Sequence, residues 1–221
     1  NVRQYLGEDF DVEKHFSPRY RPWQQRIAFI PEGDLFQGIA SGAASVVTDQ
    51  IETFTERGIL LASGQELEAD IIVTATGLDM LFLGGIELTV DDEKVDVSTR
   101  MTYKGMMLEG VPNLAMAFGY TNASWTLKAD LTCEYVGRLL NELRASGRTT
   151  CTPRNAAGVG VDGALLGLTS GYVTRAADSF PLQGVAHPWK LYQSYVADYR
   201  SLRRSAVRDE AMVFSGTRRA A

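Results

Sequence analysis

The sequence has few of the residues that build metal sites, disulfide frameworks or membrane spans. Only two of its 221 residues are cysteine and two are histidine. Cys133 and Cys151 lack a C-x-x-C spacing and His15 and His187 stand apart, so neither a zinc site nor a disulfide framework is predicted. No apolar run approaches the ~18 residues that a transmembrane helix needs. We therefore expect a soluble domain in a reducing cytoplasm.

An excess of positive charge is also missing. The chain has 22 Lys and Arg against 27 Asp and Glu, a net charge of −5, so nucleic acid is not an expected partner. The arginines nevertheless gather late in the chain. We interpret them as a solvated helix face and tail; the alternative is contact with a cofactor phosphate or with anionic lipid, hence weak peripheral membrane association. These late arginines are Arg200, Arg203, Arg204, Arg208, Arg218 and Arg219.

A glycine loop in the context that binds a dinucleotide is absent as well. Gly158–Gly163 matches G-x-G-x-x-G literally, and Asp178 follows its first glycine by 20 positions. No convincing strand precedes this stretch and Pro153 interrupts the approach, so we interpret it as an ordinary loop. The first residue is Asn1 rather than Met, and the chain is therefore expected to be a fragment or a processed product.

The hydrophobic residues that are present, 45% of the chain, suffice for one good core or two small ones. Prolines within residues 1–31 predict an extended segment, which a short helix from Asp34 to about Gly42 follows. From Ser45 to Thr76, including Val46–Thr48, alternating apolar residues predict an antiparallel meander. Its last strand, Asp70–Thr76, is apolar throughout and is predicted to be buried on both faces.

The second half predicts another buried strand, Asn113–Gly119, and then a long helix from about Ser124 to Ala145. Residues 148–185 show no sustained period and are predicted to be loop or linker. A final helix is predicted from about Pro188 to Ser205. The predicted apolar face of the long helix consists of Trp125, Leu127, Leu131, Tyr135, Leu139 and Leu143.

Several segments spread over most of the chain form a recognisable set of motifs: His15–Arg26, Pro31–Phe36, Asp70–Gly77, Tyr103–Met107, Gly119–Asp130 and Gly171–Val173. Within them, Ala75-Thr76-Gly77 is an A-T-G motif at the end of an apolar run. The set resembles class B flavin monooxygenases of the Baeyer–Villiger type, close to the ethionamide-activating branch. The resemblance marks the chain as a C-terminal fragment of such a protein.

The resemblance implies an α/β chain: a partial flavoprotein fold of the kind with two dinucleotide-binding domains, in which a β-meander and buried strands have flanking helices. Residues 1–77 would end the NADPH-binding domain, with a linker and the meander. Residues 78–147 would return to the FAD-binding domain, and residues 148–221 would form a C-terminal extension with a helix. The N-terminal Rossmann glycine loops would precede Asn1, so the fragment alone is expected to bind neither cofactor tightly.

The implied activity of the parent protein is an FAD- and NADPH-dependent monooxygenation. One oxygen atom from O2 would enter a ketone, or add to a sulfur or nitrogen centre, through a flavin peroxide. Arg26 matches the family's arginine beside the flavin ring and is the predicted catalytic residue, because a permanently charged planar group suits a peroxide anion. Ala75, Thr76 and Gly77 are the predicted cofactor contacts where small residues let the backbone approach.

The start of the long helix is the other predicted cofactor contact. Asn122, Ser124, Trp125 and Thr126 would face the flavin or line the substrate pocket, because amides at a helix N-terminus offer donors and a positive dipole end to the pyrimidine edge. The alternative is an ordinary capped amphipathic helix with Trp125 in the core.

Two other functions stay open. A flavoprotein reductase would need a redox cysteine pair, for which Cys133 and Cys151 lack the spacing. A non-catalytic binding or interaction module is the second alternative, and it requires none of these sites.

Overall fold

The computed structural model describes residues 2–21, 24–25 and 27–217. Its contacts divide the chain into two compact units, Asn1–Gly77 and Leu78–Ala221. Helices and small antiparallel sheets occur in both units, so the mixed α/β character is confirmed. The presence of Rossmann-type dinucleotide-binding folds stays a prediction. The division into residues 1–77, 78–147 and 148–221 also stays a prediction.

Among its described residues, the first unit has three short helices and one three-stranded sheet. The helix predicted at Asp34 is confirmed and ends at Ala40. The extended segment predicted for residues 1–31 is wrong in part, because two one-turn helices form there; Asp11 starts the second by accepting a hydrogen bond from the Lys14 amide at 3.0 Å. The elements are α1 (Val2–Leu6), α2 (Val12–Phe16), α3 (Asp34–Ala40), β1 (Ile51–Phe54), β2 (Gly58–Leu61) and β3 (Glu66–Glu68).

The predicted meander is confirmed in part: β1 and β2 pair antiparallel with Phe54 opposite Ile59, but the third strand of the sheet is β3, which was not predicted. Gly58 starts β2 where a side chain has no room, since a Cβ there would lie 1.9 Å from the Leu67 carbonyl oxygen. Val46–Thr48, predicted as part of the meander, forms no strand.

The buried strand predicted at Asp70–Thr76 is wrong. These residues form no strand and are exposed, and Ile71 and Val73 are each 83% exposed. A strand forms only where a neighbouring strand pairs with its backbone amides and carbonyls. Within the part of the chain that the structure describes, no strand pairs with this segment.

Among its described residues, the second unit contains the long helix, six short helical elements and eight strands. A parallel bridge joins Met101 to Leu182. The strands are β4 (Thr89–Val90), β5 (Glu93–Lys94), β6 (Thr102–Tyr103), β7 (Met107–Leu108), β8 (Thr150–Pro153), β9 (Val161–Ala164), β10 (Leu182–Gly184) and β11 (Met212–Ser215). The helices are α4 (Trp125–Ala145), α5 (Gly171–Ala176), α6 (Tyr195–Asp198), a π-helix (Tyr199–Arg204) and 3-10 turns at Phe82–Gly85, Val97–Thr99 and Ala177–Ser179.

The long helix is confirmed as α4, which contacts α6 and the π-helix. Its N-terminal part departs from the prediction, because Trp125 and Leu127 are exposed rather than buried. The buried side chains of α4 form one stripe with a lysine in it: Lys128, Leu131, Thr132, Tyr135 and Leu139. That stripe packs in a hydrophobic cluster with Tyr103, Met106, Met107, Trp189 and Leu202. A second cluster surrounds Phe82, Val95, Leu108, Val111, Met116 and Phe180.

Three further predictions for this unit are wrong. Residues 148–185 are not a linker, since β8 pairs with β11, β9 pairs with β10, and α5 lies between β9 and β10. The final helix begins at Tyr195 rather than near Pro188. Asn113–Gly119 forms no strand. The strands within residues 148–185 form by pairing with residues distant in sequence, which local periodicity does not report.

Candidate functional site

Residues 119–126 connect the core of the second unit to the start of α4. Tyr120 is buried at 1% exposure, whereas every residue from Asn122 to Leu127 is exposed. We call residues 119–126 the junction. It brings together four of the predicted cofactor residues on one exposed stretch: Asn122, Ser124, Trp125 and Thr126.

Gly119 and Trp125 approach each other closely at the two ends of the junction. A Cβ on Gly119 would lie 2.2 Å from Cγ of Trp125 and 2.5 Å from its Cα. Only glycine fits there, because real Cβ atoms do not approach other heavy atoms so closely. Trp125 is 53% exposed, so its ring is not a core side chain as in the alternative interpretation of this helix.

The first turn of α4 presents its backbone amides without a side-chain cap. The Ser124 hydroxyl lies 2.8 Å from the Thr126 hydroxyl, and no side-chain hydrogen bond caps the helix within the described residues. The first turn also contains no acidic residue. The helix has 21 residues, so its N-terminus carries donors and the positive end of a full dipole. This arrangement fits an electron-rich group such as the pyrimidine edge of a flavin.

A buried ion pair lies directly behind the junction. Nζ of Lys128 is 3.1 Å from the Asp198 carboxylate, and the two side chains are only 1% and 7% exposed. Burial lowers the pKa of Lys128, and the charge and hydrogen bond of Asp198 oppose that effect. Burial, with Asp198 nearby, raises the pKa of Tyr120. The ion pair joins the start of α4, where Lys128 lies, to the end of α6, where Asp198 lies.

A second buried polar group lies deeper in the unit. The Tyr103 hydroxyl donates to the Asp209 carboxylate at 2.6 Å and lies 2.8 Å from the Tyr135 hydroxyl. Lys104 completes the group, with Nζ 3.3 Å from the same carboxylate. Burial raises the pKa of Tyr103. Burial also lowers the pKa of Lys104, and the Asp209 carboxylate opposes that lowering. These contacts satisfy groups whose unpaired burial would be costly.

The sequence reasoning missed both buried groups. A signal for one of them exists: Lys128 stands at helical spacing from Leu131, Tyr135 and Leu139, and a charged residue on an apolar stripe requires a partner. The partner, Asp198, is 70 residues away and no local pattern identifies it.

The other predicted site residues have different positions. Ala75, Thr76 and Gly77 belong to the first unit, where they are exposed and irregular, and Gly77 has a φ of 115°. Arg26 lies outside the described residues. The role of each of these four residues stays a prediction.

Two of the late arginines pair with acidic residues of α4. Arg203 lies 2.8 Å from the Glu134 carboxylate and Arg208 lies 2.7 Å from that of Glu142. These exposed pairs agree with the solvated-face interpretation. Arg218 and Arg219 lie outside the described residues.

Within residues 2–21, 24–25 and 27–217, no helix is long and apolar enough to cross a membrane. In the same residues, no group of three or more His, Cys, Asp or Glu side chains could hold a metal ion. A strand, β8, does precede Gly158–Gly163, contrary to the prediction, but the stretch ends inside β9, whereas a dinucleotide loop leads from a strand into a helix.

Comparison with known proteins finds close relatives along almost the whole chain. The FAD-containing monooxygenase EthA of Mycobacterium tuberculosis is 49% identical over 97% of this chain and 44% of its own length. EthA of Mycolicibacterium smegmatis is 50% identical over 99% of this chain and 44% of its own length. The probable FAD-binding monooxygenase AlmA of Acinetobacter baylyi is 45% identical over 96% of this chain and 44% of its own length.

No protein-family profile matches the chain, and no solved structure matches it significantly. The similarity to whole proteins identifies the chain as a homologue of the FAD-containing monooxygenases, which confirms the resemblance. The alignments with the two EthA relatives cover 97% and 99% of this chain. The chain spans less than half the length of these relatives, 44% in each case.

Proposed function

We propose that this chain is part of an FAD- and NADPH-dependent monooxygenase. The reaction transfers one oxygen atom from O2 into a ketone or onto a sulfur or nitrogen centre. Substrate, O2, NADPH and one proton give the oxygenated substrate, NADP⁺ and water, so electrons and atoms balance. The observation that carries the proposal is the exposed, uncapped start of α4 beside Trp125, in a chain whose relatives are named FAD-containing monooxygenases.

The junction provides the binding and orienting groups in this proposal. When bound, FAD supplies the redox chemistry that passes electrons from NADPH to dioxygen. The first-turn amides of α4 donate hydrogen bonds to the electron-rich edge of the flavin. Trp125 forms an apolar wall that excludes water, while Asn122 and Thr126 contribute side-chain donors.

The remaining roles rest on the resemblance. Arg26 would provide the permanent positive charge that stabilises a developing peroxide anion, the role that the resemblance gives it. The backbone of Ala75, Thr76 and Gly77 lies against a cofactor. Glycine suits that position, since Gly77 has a φ of 115° that residues with side chains rarely adopt.

The test uses the longest natural reading frame that contains this sequence. We expect the purified protein to carry FAD, with the visible absorption of a bound flavin, and to oxidise NADPH when a ketone or a sulfide is supplied. Detection of the oxygenated product distinguishes monooxygenation from oxidation of NADPH alone. Arg26→Ala is expected to remove the product while the flavin absorption stays.

Trp125→Ala probes the junction and has a matched control on the same helix. Leu140 is as exposed as Trp125, 54% against 53%, but it lies in the fifth turn of α4. We expect Trp125→Ala to change the flavin absorption and lower turnover, and Leu140→Ala to change neither.

A colourless, inactive protein would contradict the proposal and favour the non-catalytic interaction module. The reductase alternative is weaker on structural grounds. Cys133 is exposed on α4 and Cys151 is buried in β8, and both thiols, which lie in the described part of the chain, are free. A redox pair needs two sulfurs within bonding distance of each other.

A further inference from the structure

We propose that Gln193 and Asp198 are positioning residues for the junction, acting on the cofactor from the 148–221 extension without touching it. The inference rests on the proposed function, because it assigns what holds the proposed flavin-facing amides in place.

Gln193 holds the first half of the junction. The Thr121 amide donates to Oε1 of Gln193 at 3.0 Å, and Nδ2 of Asn122 donates to the Gln193 carbonyl at 3.2 Å. The two contacts link residues 72 and 71 positions apart in sequence. Gln193 itself has a φ of 50°, and this left-handed backbone directs the chain between the irregular stretch after Trp189 and α6.

Asp198 holds the second half. Its carboxylate pairs with Lys128, three residues after Trp125, and the Asp198 amide donates to the Ser194 carbonyl at 2.9 Å. Gln193 and Asp198 therefore belong to one short segment, residues 193–198. This segment contacts the junction before the helix starts and α4 just after it starts.

Residues 122–126 of the junction are exposed, so the amides at the start of α4 need contacts beyond the buried Tyr120 and the close approach of Gly119 to Trp125. Hydrogen bonds weaken steeply when the donor is misaligned, and a displacement near 1 Å in a positioning group is enough to lower a rate strongly. We infer that the 193–198 segment sets the direction of these amides.

The test replaces Gln193 in the longest natural reading frame. Gln193→Met keeps the side-chain length and removes the acceptor for the Thr121 amide. Gln193→Glu keeps an acceptor oxygen at the same place. We expect the Met variant to bind FAD about tenfold more weakly, the factor that the loss of one hydrogen bond produces, and to shift the flavin absorption maximum. The Glu variant is expected to restore both.

Asn155→Leu is the matched control. Asn155 is also partly buried, and its side-chain amide likewise binds backbone, accepting from the Val159 amide at 2.9 Å. If Asn155→Leu and Gln193→Met lower stability alike but only the latter changes the flavin absorption, the positioning role is supported. Equal flavin changes in both variants would overturn it, since general loosening of the unit would then be the cause.

Failure of the inference and failure of the proposed function give different results. A wild-type protein without flavin contradicts the proposed function. A yellow, active wild type with an unchanged Gln193→Met variant contradicts the positioning role alone. If Gln193→Met does not fold, the double variant Lys128→Met with Asp198→Leu, which leaves no unpaired buried charge, is judged by the same two flavin readouts.

Discussion

Lys128 and Asp198 form an ion pair that is almost completely enclosed, with 3.1 Å between Nζ and the carboxylate oxygen. The exposed fractions of the two side chains are 1% and 7%. Moving both charges of such a pair out of water costs free energy, but leaving one charge buried without its partner costs much more. Its effect on stability is therefore best measured by removing one partner and then both.

Lys128→Met leaves the Asp198 carboxylate buried without its partner. We expect the free energy of unfolding to fall by about 3–5 kcal/mol, and the double change Lys128→Met with Asp198→Leu to restore most of it. Chemical denaturation measures both. Lys94→Met is the control, because the Lys94–Glu87 pair is exposed and such pairs contribute little. A double variant as unstable as the single one would contradict this account.

Gly119→Ala is expected to strain the junction. The added Cβ would lie 2.2 Å from Trp125 Cγ, so the ring or the helix start must move. Overpacking of this kind costs about 1–3 kcal/mol. Gly137→Ala is the counterpart in α4, where a Cβ meets nothing within 4 Å and the better helix propensity of alanine stabilises by roughly 0.5–1 kcal/mol. Thermal unfolding should give opposite signs for the two variants.

The two cysteines are expected to differ in reactivity. Cys133 is exposed, whereas Cys151 is buried in β8 and burial raises the pKa of its thiol. Alkylation requires the thiolate and access to it, so iodoacetamide should modify Cys133 in the native protein and Cys151 only after denaturation. Peptide mass spectrometry distinguishes the two sites. Equal labelling of both in the native state would show that β8 opens readily.

Alkaline pH is expected to destabilise the fold through its buried tyrosines. Burial raises the pKa of Tyr135 from 10.0 to about 12 and raises that of Tyr103 as well. The folded state keeps these protons after the unfolded chain begins to lose them near pH 10. The stability they contribute is therefore complete below pH 10 and is lost as the pH rises through the folded pKa.

Tyr135→Phe tests this sign. Denaturation curves recorded from pH 8 upward should fall less steeply above pH 10 for the variant than for the wild type. Lys104 and Lys128, whose pKa is lowered by burial, are present in both proteins, so the difference between the two curves reports mainly on Tyr135. Parallel curves would show that Tyr135 ionises equally in both states.

Elements with local signals were predicted well from the sequence. The spacing of apolar residues in Ser124–Ala145 predicted α4 to within one residue at its start, and turn residues predicted the first hairpin of the meander in the first unit. The junction was predicted too, because its four candidate residues stand at the start of a long helix, and helix starts carry free amides whatever surrounds them.

Elements that need distant partners were not predicted. The apolar run Asp70–Thr76 was predicted as a buried strand, yet a strand is defined by its neighbour and the described residues provide none. β8 was missed because its partner strand, β11, lies about 60 residues later in the sequence. Pairing with β11 makes a strand of a stretch that shows no periodicity of its own.

The sequence by itself therefore determined the long helix, the first hairpin of the meander, the place of the junction at a helix start and the similarity to flavin monooxygenases. These depend on residue spacing and identity along the chain. Only the tertiary structure decided that Trp125 is exposed, that Lys128 pairs with Asp198 and that Gln193 holds Thr121. The two pairings depend on side chains that meet across about 70 residues, and burial and pairing are properties of the packed chain rather than of any window of it.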